Sequence, residues 1–375
     1  MHSFRNDYME GAHPLVMDAL VRTNAEQCPG YTEDTWCMKA RTAVRQAIAR
    51  SDERGALRAA GISPAALQVE FVCGGTMANL LCISSVLRPH EAVIAARDGH
   101  VNVHETGAIE NTGHKVIATD DADGLLSVAG VDAAMRAHDY GKNCHMVKPR
   151  MVYMSLATEM GLVPTTQLLA DLRAYADAHD LLLFIDGARL ACGLASERCD
   201  ATLADVCAAA DVFTIGGTKM GALFGEAIVI RNPEIQREFR YEMKQKGALL
   251  AKGRLLGVQF DALLSNTGAS AGIEEAVGDE PLYFSMGRHA VAMAARLKGV
   301  LARHGYADLY SDSSTNQLFI TLENDVADDF MRAFDADLFM RPDEKHAIVR
   351  LATSWATTAE DVDRVDRVLS GEGAE

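Results

Sequence analysis

Residues Leu181–Ile185 are five consecutive apolar positions that end abruptly in Asp186-Gly187-Ala188-Arg189. An apolar run of this length, closed by turn residues, fits a strand buried on both faces, as in a mostly parallel sheet. It delivers an acid and a base at its carboxyl end, the edge at which open α/β sheets bind their ligands. The segment before it, Thr166–His179, places Leu168, Leu169, Leu172, Tyr175 and Ala176 on one helical face, so a crossover helix is expected there. Downstream, Val212, Phe213 and Ile215 read as a second short buried strand, and Gly216-Gly217 let the chain turn sharply after it. That turn presents Lys219 in apolar surroundings. Burial disfavours an ammonium and leaves a nucleophilic amine, the property a Schiff-base lysine needs.

Other stretches repeat the pattern of strand, functional turn and helix. Val69–Cys73 reads as a strand, followed by Gly74-Gly75-Thr76-Met77-Ala78-Asn79 and a helix-compatible run. Bare N–H groups at such a helix start, with the positive end of its dipole, suit a phosphate. No Gly-Lys-Ser/Thr follows, so this is not a nucleotide P-loop. Ala92–Ala95 leads to Arg97-Asp98-Gly99-His100, with His104 one helical turn on, and Met151–Leu156 leads to Ala157-Thr158-Glu159-Met160-Gly161. Gly225–Ile230 is a further strand, and helical patterning runs from Pro233 through Leu264. The remainder reads as helix 286–304, strand 317–322, helix 326–334, strand 347–352 and helix 359–369, the last opened by a Thr357/Glu360 capping box. The expected organisation is an N-terminal arm (1–13), a large domain (14–250) and a small α+β domain (251–375) ending in a disordered tail, 371–375.

Composition narrows the partners. The net charge of −16 on 375 residues opposes binding to nucleic acid. The largely apolar stretch 80–87 is too short to span a membrane, and Met1–Asp7 is too polar for a signal peptide. Eight cysteines are scattered without a CxxC, which fits reduced thiols in a cytoplasmic protein and no structural metal.

In chain order, Gly75-Thr76, His100, Asp186, Arg189 and Lys219 resemble the site residues of fold-type I pyridoxal 5′-phosphate (PLP) enzymes, and within them the threonine aldolase / aromatic amino acid β-eliminating lyase family. The resemblance spans Asn6 to Arg350. It implies a mostly parallel seven-stranded sheet, with the 226–230 strand antiparallel, and a small C-terminal domain. It also implies that Gly75 and Thr76 hold the PLP phosphate, His100 stacks on the ring, Asp186 pairs the ring nitrogen and Lys219 binds the cofactor covalently. Arg189 lies near O3′ and the substrate carboxylate, which Arg350 also grips. Asn6-Asp7-Tyr8 stands where the family has Ser-Asp-Thr, so Asn6 is a substrate-binding candidate. The 30–34 segment and Lys252 or Arg254 face a partner subunit's site. Thr158-Glu159 replaces a loop histidine of well-known members, which leaves a water held by His100 or Glu159 as the base. The implied reaction cleaves a β-hydroxy-α-amino acid, of the threonine, allo-threonine or phenylserine type, into glycine and an aldehyde. A homodimer or homotetramer with shared sites is implied as well. The alternatives are a β-eliminating lyase, aminotransferase or racemase of the same fold, or a non-catalytic PLP-fold binding subunit, against which the intact lysine and aspartate argue.

Overall fold

The computed structural model describes residues 2–121, 124–265 and 280–372; the last three residues of the expected disordered tail lie outside these. Seven strands, β1 (Gln68–Val72), β2 (Glu91–Ala96), β3 (Lys115–Thr119), β4 (Lys148–Ser155), β5 (Leu182–Asp186), β6 (Val212–Gly216) and β7 (Glu226–Ile230), form one sheet in the order β1-β7-β6-β5-β4-β2-β3. All neighbouring pairs are parallel except those made by β7, which runs antiparallel to both β1 and β6. A loop over residues 217–225 joins β6 to β7, closed by the Gly217 N–H donating to the Gly225 carbonyl at 2.9 Å, so the chain reverses there without a crossover.

Every residue of β2, β5, β6 and β7 is buried, the expected cost of having layers on both faces. Alternate side chains enter separate cores. Leu183, Ile185, Phe213, Ile215, Ala227 and Val229 face one way. Leu182, Phe184, Val212, Ile228 and Ile230 face the other. The seven-stranded, mostly parallel sheet implied by the family resemblance is therefore present, with its antiparallel member in the place the resemblance gives it.

The helical patterning between Pro233 and Leu264 is a correction: the segment forms three helices, Pro233–Gln236, Phe239–Gln245 and Arg254–Leu264. Gly247 breaks it at φ +76°, a conformation other residues rarely adopt. The Arg254–Leu264 helix sends Leu256 and Phe260 into the first core, beside Val44 of the Thr35–Arg50 helix. A Cβ on Gly257 would lie 2.5 Å from the Cys37 backbone nitrogen, so only glycine lets these two helices approach so closely.

A second sheet, β8 (Gln317–Glu323), β9 (Asp337–Met340) and β10 (His346–Ala352), is antiparallel in the order β8-β10-β9. Its core gathers Leu318, Ile320, Val349, Leu297, Phe330 and Val362. The N-terminal arm is stitched to it. Phe4 is buried in this core, its carbonyl accepts the Ala352 N–H at 2.8 Å, and its own N–H donates to Phe334. The capping box of the last helix is Thr358 with Asp361 instead of Thr357 with Glu360. Thr357 is buried, and its hydroxyl instead accepts the Ser354 N–H at 2.8 Å.

Gly257→Ala should lower the urea midpoint, at a cost of about 1–3 kcal/mol for forced overpacking. Gly299→Ala, in the Leu282–Arg303 helix, is the control. Its Cβ would meet only the tip of Arg303 at 3.9 Å, so stability should hold or rise slightly.

Candidate active site

A cavity of about 250 Å³ opens at the carboxyl edge of the large sheet, lined by Gly75, Thr76, His100, Asp186, Arg189 and Lys219 among others. Five loops, those after β1, β2, β4, β5 and β6, meet there. Six of the eight candidate residues thus share one space, although up to 144 positions separate them along the chain.

Asp186 is the last residue of β5 and is buried. Its carboxylate accepts the Tyr153 hydroxyl at 2.7 Å, the Asn79 amide at 2.9 Å and the Ala188 N–H at 2.9 Å. These fix it in place while its edge remains on the cavity. Lys219 rides on the β6–β7 turn, which is pinned by the Gly225 N–H donating to the Thr218 hydroxyl at 3.1 Å. A Cβ at Gly216 would lie 2.5 Å from the Ala188 carbonyl oxygen, so glycine here brings the lysine turn against the Asp186 turn. Burial lowers the Lys219 pKa, and Arg189 adds to this, while Asp7, Glu226 and Asp186 oppose it.

The Gly75–Ser84 helix begins at Gly74 with no side-chain cap, and no protein atom lies within 4 Å of where a Cβ on Gly74 or Gly75 would be. Its first N–H groups are therefore open to an anion. His100 is held from two sides. Its backbone N–H donates to Glu159 Oε1 at 2.9 Å, and its Nδ1 lies 2.7 Å from Glu105 Oε1. The carboxylate requires the proton on Nδ1, which leaves Nε2 as the ring's free nitrogen. Asn79 bridges Glu105 at 2.7 Å and Asp186 at 2.9 Å, so His100 and the strand-end acid belong to one network. Glu159 also accepts the Ser155 hydroxyl at 2.7 Å; its Oε2 has no partner, and burial raises its pKa.

Arg189 lines the cavity but is engaged. Its Nε and Nη2 donate to both oxygens of the buried Asp7, at 2.7 and 2.9 Å, and Asn316 adds a third bond at 2.9 Å. Burial alone would raise the Asp7 pKa, but Arg189 and Lys219 hold the carboxyl well below the usual carboxylate range. Nη1 of Arg189 has no partner among the described residues. Asn6 and Arg350 are outside the cavity lining. Asn6 accepts the Tyr8 N–H at 3.1 Å in a local turn. Arg350 donates to Asp337 at 2.8 Å from β10 to β9, and its Nε is buried without a partner. Its charge adds to the burial that lowers the pKa of His104, four residues beyond His100. Arg254 closes the end of the Pro14–Thr23 helix through the Thr23 and Asn24 carbonyls. Sequence reasoning missed Glu105, Tyr153 and Glu226, and quoted Asn79 only as part of the glycine turn. An acid in a polar loop or at a strand start gives no sign of its partners.

An amine, a buried acid and an uncapped helix start at the carboxyl edge of such a sheet define the fold-type I class. Aspartate aminotransferase from Thermotoga maritima has this fold, at 14% identity over 96% of this chain and 90% of its own, with a TM-score of 0.64. More narrowly, the chain belongs to the β-eliminating lyase family, whose model matches residues 4–325. It is 30% identical over 266 residues to the low specificity L-threonine aldolase of Pseudomonas aeruginosa, covering 70% of this chain and 71% of that one. It is 40% identical to a solved Leishmania major threonine aldolase, covering 99% of both chains with a TM-score of 0.87.

Asp7→Ala leaves Arg189 buried and unpaired, and should cost about 3–5 kcal/mol in urea unfolding. The folded-state pKa of Asp7 is depressed, so its contribution is full at neutral pH and is lost only as pH falls below the ordinary carboxylate range. The stability difference between wild type and variant should therefore stay flat from pH 8 to about pH 5 and shrink only at lower pH.

Proposed function

We propose that this protein is a PLP-dependent lyase that cleaves β-hydroxy-α-amino acids to glycine and an aldehyde. The observation that carries this reading is the meeting, in one cavity, of a lysine whose ammonium is disfavoured and a buried aspartate held by four hydrogen bonds. The high identity to a threonine aldolase over the full chain supports the choice of reaction.

The residues fit the cofactor. The uncapped N–H groups at Gly75 and Thr76 suit its phosphate, Asp186 its ring nitrogen, His100 its ring face and Lys219 its carbonyl. Bound there, PLP supplies a sink for the electron pair released from the Cα–Cβ bond. The chain itself does the rest. Lys219 offers an amine that burial keeps nucleophilic. Nη1 of Arg189, with Arg350, binds the substrate carboxylate and sets which bond at Cα stands perpendicular to the ring. Glu159 Oε2 takes the β-hydroxyl proton, directly or through one water, with His100 Nε2 beside it. Asn6, next to Asp7 in the arm, is the remaining candidate for a contact to the substrate. The exposed Tyr8, Met9, Met17, Val21, Tyr31 and Met38 support a homodimer or homotetramer with shared sites. The charge and cysteine pattern support a cytoplasmic location.

Phenylserine given to the purified protein should yield glycine and benzaldehyde with no keto-acid acceptor. A keto acid and ammonia as the sole products would replace this reading with β-elimination. Arg350→Ala should lower kcat/KM about 10- to 100-fold, the range of a lost charge-assisted hydrogen bond, with cofactor absorbance unchanged. Unaltered kinetics would leave Arg189 alone at the carboxylate.

A further inference from the structure

Glu226 opens β7, opposite Gly216 of β6 and Val72 of β1. Its parity with Ile228 and Ile230 puts it on the sheet face that carries Asp186, nearer the cavity edge. It is 3% exposed, lines the same cavity as Lys219, and its Oε2 has no hydrogen-bond partner among the described residues. The neighbouring acids are anchored more firmly. Asp186 holds four donors and Asp7 three, and Glu105 and Glu159 each have one oxygen bound by two donors. A carboxyl at the head of an otherwise apolar strand has no packing rationale, and an unmet buried oxygen is unfavourable. The cavity must supply its partner.

We propose that Glu226 is the resident proton partner of Lys219. The Lys219 ammonium gives a proton to one water in the cavity as that water gives one to the Glu226 carboxylate: an Nζ–H bond and a water O–H bond break, a new water O–H bond and an Oε–H bond form, and the amine is free to attack a carbonyl. A proton returns by the same route when that amine is released. The pair holds one proton between them, so no solvent proton has to cross the buried site. Glu226 acts through Lys219 and is a positioning residue in that sense; its role rests on Lys219 being the reacting amine.

The electrostatics agree with this geometry. Burial pushes the Glu226 carboxyl up to about 8, with Lys219 pulling it down and Asp186 pushing it further up. Burial likewise lowers Lys219, and Glu226 is one of the charges that oppose that fall. The other groups facing the pair are Thr218 on the turn, Asp186 on β5, and Tyr283 from the Leu282–Arg303 helix, whose hydroxyl is buried without a partner. Arg189, Asp7 and Cys192 act on the Lys219 side.

The test reads Lys219 itself in the full-length protein freed of cofactor. Trace acetic anhydride is applied across a pH series, and acetylation of the Lys219 peptide is quantified against an exposed lysine by mass spectrometry. Removing the carboxylate in Glu226→Gln should move the midpoint of Lys219 reactivity down by about one pH unit, or roughly tenfold more free amine at a fixed pH below it. Glu226→Asp, which keeps the charge, should stay closer to wild type and serves if the glutamine variant does not fold. A midpoint unchanged in Glu226→Gln, or equal in the aspartate variant and Glu226→Ala, would overturn the proposal. Because no cofactor or substrate is present, this result is separate from whether the reaction assigned above is correct.

Discussion

Four buried carboxylates, Asp7, Glu105, Asp186 and Glu226, and the half-buried Glu159 stand at one edge of the large sheet around two cations, Lys219 and Arg189. In a low-dielectric setting each charge must be paired, bonded or neutralised, and the rest of the site follows from how this is done. Arg189 is given to Asp7, and Asp186 to four neutral donors. Glu105 fixes His100, and Glu159 is half satisfied. What remains is a lysine pushed toward its neutral form and an acid pushed toward its own. That imbalance is a chemical capacity, because a neutral amine is a nucleophile and a neutral buried acid is a proton donor.

The ion pair between Arg189 and Asp7 also has an architectural consequence. Asp7 sits in an arm whose Phe4 is bonded to the small sheet, and Asn316, just before β8, holds the same carboxylate. The loop after β5, the N-terminal arm and the small sheet therefore converge on one guanidinium. The arm is read from sequence as polar and, by resemblance, as part of the site; it stands outside the cavity lining and backs it through Asp7, which holds the lining residue Arg189. Arg350 belongs to the same region, on the central strand of the small sheet, with its guanidinium tied to Asp337.

Much of this was legible because buried strands write themselves as apolar runs. β2, β5, β6 and β7 have no exposed face, so each was marked by composition alone and ended in turn residues that carry function. Lys219 and Asp186 stood out as charges at the ends of such runs. β9 did not stand out, because it has four residues at a sheet edge with alternate exposure, a weak pattern. The break at Gly247 was hidden because helical periodicity on both sides of a turn looks continuous. Partners were harder still. Asp7 and Arg189 lie 182 positions apart, and Asn79 and Asp186 lie 107 apart. Periodicity says which face a residue takes, whereas a hydrogen bond depends on the topology that folds two edges together. Glu226 read as the second residue of a strand, and its unpartnered Oε2 on the cavity is visible only in the fold.

The central claim is that Lys219 is the amine on which the chemistry turns. Reduction of the purified, cofactor-loaded protein with borohydride, followed by peptide mapping, tests this most directly. The account predicts a single pyridoxyl-modified peptide with the added mass on Lys219. A modification on Lys252 or any other lysine, or none at all, would contradict it.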